Sequence, residues 1–289
     1  MKKILLCTDG SAFAQIGYEY AAWLAKRVPM EIEVLYVTDR RQAQAVQTHD
    51  FSGNLGIDAY QGLLNQLVEL EHKTAKINHH RAKIILEAAK QFFLDHGIPT
   101  EAIALTHDTG FLVDNFHKFE QAADLIMLGK RGETASFATE HLGSNMERIA
   151  RASHKPCWVA SRDFHPIDRL LFAYDGGKSC QKALRFLVGM PVFKGLAVHM
   201  ITVAKKHGED AAIAHLQTAE MTLKANGFKP ICHVLHGDVE VAIVDYAETQ
   251  GIDFLVMGAY GHSRVRHLVI GSTTAQVLRR SHIPVLLFR

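Results

Sequence analysis

Short apolar runs alternate with segments of helical period along most of the chain. The runs are four to six residues long and do not alternate strictly with polar residues, which is typical of strands covered on both faces. They are Ile4–Cys7, Ile32–Val37, Glu101–Leu105, Leu125–Leu128, Cys157–Ala160, Leu170–Ala173, Leu196–Ile201, Ile231–Leu235, Phe254–Met257 and Val285–Phe288. Between them, apolar residues recur at helical spacing, as at Val239, Ile243 and Ala247. This alternation predicts an α/β protein with parallel strands and right-handed crossovers.

The second part of the chain repeats the first. The segment DLIMLGKRG at Asp124 returns as DFLVMGAYG at Asp253, an offset of 129 residues. SHKP at Ser153 returns as SHIP at Ser281, an offset of 128, and the apolar runs ILLCTDG and LLFAYDG both end in Asp-Gly. We therefore predict two tandem open parallel five-stranded sheets flanked by helices. The predicted domains are 1–162 and 167–289, with the boundary in the polar segment 161–168.

The first copy carries additional sequence. Asp9 and Gly129 are 120 positions apart, but the matching Asp175 and Gly258 only 83, so about 37 residues are inserted, which we place at about 40–76. Helix-like sequence runs on from about residue 59 to 96, and an unbroken helix of that length would reach roughly 57 Å. We expect a break near 72–78, or a helix that projects. It would serve either as extra core cover or as a partner or lid surface.

The composition is that of an ordinary globular protein. The net charge of +2 provides no strong attraction for nucleic acid or an anionic membrane. The N-terminal apolar run is too short for a signal peptide, and no stretch approaches the ~20 apolar residues of a membrane span. The four cysteines form no CxxC pair and suit buried free thiols. We expect a cytoplasmic protein without nucleic-acid or membrane partners.

Glycine, serine and basic residues follow the fourth strand of the second copy. In folds of this type, ligands bind at the carboxyl ends of the strands, where the strand order reverses. Gly258 and Gly261 allow close backbone approach, and Gly271, Ser272 and Thr273 begin a helix whose free N–H groups suit an anion. The loop between them carries basic residues that suit phosphates, namely Arg264, Arg266, His262 and His267.

The first copy has the same landmarks with a less favourable loop. Gly129 and Gly132 are followed, after ten residues rather than nine, by Gly143, Ser144 and Asn145. Its loop holds Glu133 and Glu140, so we prefer the second copy as the anion site. Alternatively, the glycines serve tight βα turns and the two serines are ordinary N-caps.

The pattern Gly258-x2-Gly261-x9-Gly271-Ser272 resembles the G-x2-G-x9-G-[S/T] signature of ATP-binding members of the universal stress protein (UspA) family, and the tandem arrangement is similar to its UspE-like members. The resemblance implies a Rossmann-like fold of the adenine nucleotide alpha hydrolase type. It implies that Asp9 or Asp175 lies beside adenosine, that a backbone group at Val37 or Thr202 meets adenine, and that the glycine and serine positions hold ribose and phosphates. It also implies that the runs PCWVAS and PVLLFR pair the two domains as an intramolecular pseudo-dimer, and a homodimer is a further expectation.

Other sites receive less support from the sequence. A P-loop would need glycine where Phe172 stands, and no G-x-G-x-x-G follows a strand. The 18 histidines show no HExxH or Cys/His cluster, so we predict no metal site among them.

Three functions remain open. The first is an ATP-binding stress regulator, with Mg²⁺ held on the phosphates by Asp9 or Asp175. The second is a nucleotide-free interaction module with unknown protein partners. The third, an enzyme such as a nucleotidyl transferase, lacks a reactive motif near either first strand. No acid–base pair or nucleophile is recognisable, so we expect weak ATPase activity at most.

Overall fold

The computed structural model describes residues 2–39, 57–132, 142–204, 208–259 and 271–289, without the side chains of 57–60 and 62–64. Its strands match most of the apolar runs. They are β1 (Lys3–Thr8), β2 (Glu31–Asp39), β3 (Ile103–Gly110), β4 (Leu125–Leu128), β5 (Cys157–Val159), β6 (Arg169–Ala173), β7 (Ala197–Ala204), β8 (Ile231–His236), β9 (Phe254–Gly258) and β10 (Val285–Phe288).

Helices connect these strands. They are α1 (Ala12–Ala25), α2 (Ile57–Asp95), α3 (Leu112–Glu120), α4 (Ser144–Ala152), α5 (Lys178–Gly189), α6 (Glu209–Ala225), α7 (Val239–Thr249) and α8 (Ser272–Arg280). Short 3₁₀ turns lie at Thr100–Ala102 and Pro191–Phe193. Within the part of the chain that the structure describes, no helix is both long and apolar enough to cross a membrane.

The strands of each half form an open parallel sheet of five, as predicted, and the two sheets are joined. The full order is β3-β2-β1-β4-β5-β10-β9-β6-β7-β8. The only antiparallel neighbours in this ten-stranded order are β5 and β10, where Trp158 lies opposite Leu286. These strands contain the PCWVAS and PVLLFR runs. The halves therefore share one continuous sheet rather than forming two separate ones.

Strand β3 begins and ends later than predicted. Glu101 lies in the 3₁₀ turn after Pro99, and the strand runs from Ile103 to Gly110. The predicted range of 101–105 was therefore wrong at both ends. Its C-terminal half, THDTG, is polar because β3 is an edge strand of the sheet, where only partial burial is required.

Helix α2 is continuous over 39 residues, so the predicted break near 72–78 was wrong. Lys73, Ala75 and Lys76 in that region favour a helix, and Lys73 forms an i,i+4 ion pair of 2.7 Å with Glu69. The C-terminal part of the helix provides the expected extra core cover. Ala82, Leu86, Ala89 and Phe93 are buried against the core, whereas the described side chains before residue 78 are exposed. The polar stretch that opens the insertion, 40–56, lies outside the described residues.

Two apolar layers cover the sheet, one on each face, and each layer extends through both halves. Helices α1, α2, α5 and α6 pack on one face, and α3, α4, α7 and α8 on the other. The chain changes direction across the sheet between β1 and β4, and again between β6 and β9. These reversals leave a crevice at the carboxyl ends of the two strand pairs, which is where ligands bind in doubly wound sheets.

Candidate functional site

In the first half, the structure brings three of the predicted site residues together at the β1/β4 crevice. Asp9 follows β1, and its Oδ1 accepts a hydrogen bond of 3.0 Å from the backbone N–H of Ser11. A β-carbon added at Gly132 would lie 2.9 Å from Oδ2 of Asp9, and one added at Gly143 would lie 3.3 Å from the nitrogen of Gly132. Glycine at these two positions therefore lets the loop after β4 lie close to Asp9 and to the start of α4.

Gly129 and Gly258 have a different role. A β-carbon at Gly129 would lie 3.0 Å from the carbonyl oxygen of Phe13 in α1. At Gly258 it would lie 3.2 Å from Ser179 Cβ and Cys180 Sγ in α5. These two glycines let the first helix of each half pack against the end of the fourth strand, so their place in the pattern follows from packing.

The two Asp-Gly turns need glycine for their backbone conformation, which was not predicted from the sequence. Gly10 has φ +79° and Gly176 has φ +76°, in the left-handed region that glycine tolerates best. A β-carbon at Gly10 would also meet Ile85 at 2.8 Å, and one at Gly176 would collide with the ring of His215. The repeated Asp-Gly pair in the sequence was the signal for this turn.

In the second half, Asp175 is exposed after β6 and its Oδ1 accepts a 2.7 Å hydrogen bond from the N–H of Gly177. Because β6 and β9 are neighbours, Asp175 and Ala259 follow strand ends at the same crevice. Three predicted residues, Gly261, Arg264 and Arg266, lie outside the described residues, as do His262 and His267.

The helices α4 and α8 begin alike. In each, the N-cap residue is a glycine, Gly143 or Gly271, which has no side chain with which to cap the helix. Ser144 and Ser272 are the first helical residues and are exposed. The interpretation of the two serines as ordinary N-caps was therefore wrong, because each serine follows the N-cap position.

The first turns of the two helices differ in charge. Glu147 lies in the first turn of α4, whereas the first turn of α8 holds no acidic residue and Ala275 stands at the matching position. A carboxylate there opposes a bound anion, because it adds negative charge where the helix dipole is positive. In α8 the Oγ1 of Thr274 is buried and donates to the carbonyl of Ala259 at 2.8 Å, whereas Ser272 is exposed.

An ion pair crosses the first half from the end of β2 to α4. The guanidinium of Arg148 lies 3.2 Å from Oδ2 of Asp39, two residues beyond Val37, and both side chains are largely buried. The matching positions in the second half are Gln276 and Lys205, which cannot form this pair. Asn145 contacts Arg148 at 3.3 Å, so it belongs to the same set of contacts.

The strand register changes one predicted match. Leu35 lies opposite Cys7 in β1, and Ile201 lies opposite Ala173, which matches Cys7 in β6. Counting on from these positions, Val37 corresponds to Val203 rather than to Thr202. Thr202 is buried, and a shift of one residue places its side chain on the other face of the sheet.

Lys130, next to Gly129, was not singled out by the sequence analysis, and it does not serve the crevice. Its side chain is buried, and its Nζ donates to the carbonyl oxygen of Ser281 at 2.6 Å. Burial, together with the nearby charges of Arg131 and Arg162, lowers the pKa of Lys130 to about 8. The residue therefore links the loop after β4 to the other half of the molecule.

Comparison with known proteins identifies the family to which this chain belongs. The model of the universal stress protein family matches residues 1–161 and again 166–289. The chain belongs to the universal stress protein family. It is 53% identical over 289 residues to universal stress protein Slr1230 of Synechocystis, covering 100% of both chains.

Solved structures that cover nearly the whole chain share this fold. A universal stress protein from Archaeoglobus fulgidus superimposes with a TM-score of 0.71 at 26% identity, covering 99% of this chain and 97% of that one. A functionally unknown protein, PA1789 of Pseudomonas aeruginosa, shares the fold, with a TM-score of 0.60 at 13% identity, over 99% of this chain and 92% of its own. The predicted family and the predicted Rossmann-like fold are both confirmed.

Proposed function

We propose that this protein binds ATP in its second half and acts as a cytoplasmic stress-response regulator. The observation that carries the proposal is the difference between the two helix starts. Helix α8 begins at the exposed Ser272 and has no acidic residue in its first turn, whereas α4 has Glu147 there. An anion such as a triphosphate is stabilised by the first arrangement and opposed by the second.

The contacts of the first half explain why we assign it no nucleotide. The Arg148–Asp39 pair ties α4 to the end of β2, on the side of the crevice where an adenine would meet a strand end. A nucleotide that displaced these side chains would break a largely buried ion pair. Breaking such a pair is strongly destabilising when one charge is left unpaired. A β-carbon at Gly143 would also lie 3.2 Å from Arg131 Cα, so the start of α4 lies close against the loop after β4.

In the proposed complex, Asp175 lies beside the adenosine and a backbone group of Val203 or Thr202 meets adenine. Gly271, Ser272 and Thr273 hold phosphate oxygens through their N–H and hydroxyl groups. The basic residues Arg264 and Arg266 and the close approach at Gly261 complete the site. Mg²⁺, where present, would bind the phosphates with Asp175. We include no hydrolysis step, and nucleotide serves as a signal or a stabilising ligand.

The cytoplasmic location is supported by the cysteines. Cys7, Cys157, Cys180 and Cys232 are all free, and burial raises the pKa of the Cys157 thiol to about 12. Thiols kept unpaired and protonated suit a reducing compartment.

The test is calorimetric titration of the purified full chain with ATP and Mg²⁺, using Ser272→Asp and the matched Ser144→Asp. Aspartate at the first position of a helix stabilises it, so neither variant should unfold, but its charge repels phosphate. We expect one ATP per chain, weakened at least about tenfold by Ser272→Asp and unchanged by Ser144→Asp.

Three results would count against this assignment. Absence of ATP affinity in the wild-type chain would favour a nucleotide-free interaction module. Loss of binding in Ser144→Asp alone would move the site to the first half, and equal binding in all three proteins would remove the helix starts from the site. The regulatory role is tested separately, by comparing stress survival of host cells carrying wild-type protein with that of cells carrying Ser272→Asp.

A further inference from the structure

Two histidines and a glutamate converge in the first half, on the face of the sheet that α3 and α4 cover and that lies opposite α1. Glu120 ends α3, and His117 lies one turn earlier on the same face. His154 follows α4 in the turn SHKP. The Oε2 of Glu120 lies 2.9 Å from Nδ1 of His117 and 3.7 Å from Nδ1 of His154, and the three donor atoms all lie within 4.8 Å of one another.

The other carboxylate oxygen of Glu120 is fixed by the protein. Oε1 accepts hydrogen bonds from the hydroxyl of Ser153 at 2.5 Å and from the N–H groups of His154 and Lys155 at 2.6 and 3.2 Å. The Glu120 side chain is only 5% exposed, so these contacts hold it in one orientation. Its Oε2 is thereby directed at the two imidazoles, as outer hydrogen bonds direct a ligating carboxylate.

The fold itself does not require this carboxylate. In the second half the turn SHIP repeats the same contacts. The N–H of Ile283 donates to the hydroxyl oxygen of Ser281 at 3.3 Å, just as the N–H of Lys155 donates to that of Ser153 at 3.0 Å. Yet Thr249 stands in place of Glu120, and its hydroxyl donates within its own helix, to Asp245. The turn therefore forms without an acidic partner.

The matching histidine is also absent there. Tyr246 stands in place of His117, and its hydroxyl bonds to His199 at 2.9 Å instead. Only His154 has a histidine counterpart, His282. The first half thus has a set of two imidazole nitrogens and one carboxylate oxygen that the second half, built on the same frame, lacks.

We propose that His117, Glu120 and His154 bind a divalent transition-metal cation of the Zn²⁺ type, in the first half only. Imidazole nitrogen and carboxylate oxygen are donors that Zn²⁺ accepts, and three protein ligands with water in the fourth position is a known arrangement. Bonds of about 2.0–2.1 Å in a tetrahedron place donor atoms roughly 3.4 Å apart, so the observed separations need only small movements.

Exposure of the histidines fits this role. The side chains of His117 and His154 are 39% and 75% exposed, so a cation can reach the site and keep its water ligand. A bound ion would fasten the end of α3 to the turn between α4 and β5. Because the ion binds the folded chain, it would raise the unfolding temperature.

The experiment is titration of the untagged, chelator-treated full chain with Zn²⁺ in the absence of nucleotide. We expect one Zn²⁺ per chain and a raised unfolding temperature. His154→Ala should weaken this binding at least about tenfold, and His117→Ala likewise. His154 is exposed and its N–H contact with Glu120 is retained in the variant, so the fold should persist. His282→Ala is the matched control and should bind Zn²⁺ as the wild type does.

Cobalt substitution identifies the donors. Co²⁺ at this site should give visible d–d bands without the near-ultraviolet thiolate band that a cysteine ligand would produce. The proposal fails if the wild type takes up no stoichiometric Zn²⁺, if His154→Ala binds it unchanged, if His282→Ala loses it equally, or if the cobalt spectrum carries a thiolate band.

Discussion

The Nζ of Lys130 lies 2.6 Å from the carbonyl oxygen of Ser281, across the junction between the two halves of the chain. It also contacts the carbonyl of Arg279 at 3.5 Å, so it caps the C-terminal end of α8. In the opposite direction, the guanidinium of Arg289 donates to the carbonyl of Arg151 at 3.0 Å, at the end of α4. A cation from each half therefore caps the last helix of the other, where the helix dipole favours positive charge.

The buried amine of Lys130 makes part of the stability depend on pH. Its pKa in the folded chain is about 8, whereas the ordinary value of 10.5 applies when the chain is unfolded. Between these two values the unfolded state binds more protons than the native state, so the contribution of Lys130 to the free energy of unfolding rises with pH. Below about pH 8 both states are charged and the contribution is constant.

The measurement compares wild type with Lys130→Met by chemical denaturation at about pH 7.5 and about pH 10. The free energy of unfolding of the wild type, relative to that of the variant, should rise by on the order of 1–3 kcal/mol between these pH values. Tyrosines and cysteines also titrate in this range, but they do so in both proteins and cancel in the difference. A difference that stays flat with pH would show that the amine is not perturbed by burial.

Trp158 should be among the residues most important for stability. It is fully buried in β5, next to the junction with β10, and stacks on Phe254 of the second half with ring centroids 4.2 Å apart. Replacing Trp by Ala in a core of this kind costs about 3–5 kcal/mol through lost contacts and the cavity. We expect Trp158→Ala to lower the free energy of unfolding by that amount, measured by denaturant titration.

The control is Trp158→Phe. The indole Nε1 of Trp158 has no hydrogen-bond partner among the described residues, so phenylalanine removes an unsatisfied donor while keeping most of the ring. The loss in free energy of unfolding should be well below that of Trp158→Ala.

Because the sheet and both apolar layers extend through the two halves, the wild type should unfold in one transition. Separate transitions of the two halves would contradict this account of the junction.

The sequence predicted most of the fold because its signals are local. Buried parallel strands are continuous apolar runs, and β4 and β10 have the bounds that such runs indicate. The edge strand β3 was misplaced because its polar half, THDTG, is supported by pairing with β2 rather than by burial. A break in α2 was predicted because an unbroken helix of that length would extend beyond the domain, and the structure keeps the helix continuous with its part before residue 78 exposed.

The candidate site was predicted less completely, because its contacts join distant residues. The motif glycines could be placed at the crevice, but the Arg148–Asp39 pair depends on strand and helix positions that no spacing rule gives. The same holds for His154 and His117, which are far apart in the chain and meet only where α3 ends beside the turn after α4. The match of Val37 to Val203 required the register of two strands.

The Asp-Gly turn gives a prediction about stability. Gly10 has φ +79°, and a β-carbon there would lie 2.8 Å from Ile85 of α2. Gly10→Ala therefore combines backbone strain with a steric clash, and we expect it to lower the free energy of unfolding by about 1–3 kcal/mol in denaturant titration.

Gly189, at the end of α5, provides the opposite case. A β-carbon there meets nothing within 4 Å, and its backbone is helical. Gly189→Ala should therefore leave stability unchanged or raise it by up to about 1 kcal/mol, because alanine loses less conformational freedom in a helix. If both variants lost stability equally, the positive φ of Gly10 would not be the cause.

The charge difference between the two helix starts makes a prediction for the proposed nucleotide site. Ala275 in the first turn of α8 stands where α4 has Glu147. Ala275→Glu places a carboxylate beside the proposed phosphate position while favouring the helix itself, since acidic residues suit a first turn. A repulsion of about 1 kcal/mol corresponds to roughly fivefold weaker ATP binding, measured by calorimetry.

Two controls test whether the effect of Ala275→Glu arises from charge at the second-half site. Glu147→Ala removes the acidic residue from the first half and should leave the affinity of the proposed second-half site unchanged. The effect of Ala275→Glu should also diminish in high salt, because the repulsion acts through solvent-accessible space. If the weakening persisted undiminished at high salt, it would arise from altered packing of α8, and if Glu147→Ala changed the affinity for the single bound ATP, the nucleotide would belong to the first half.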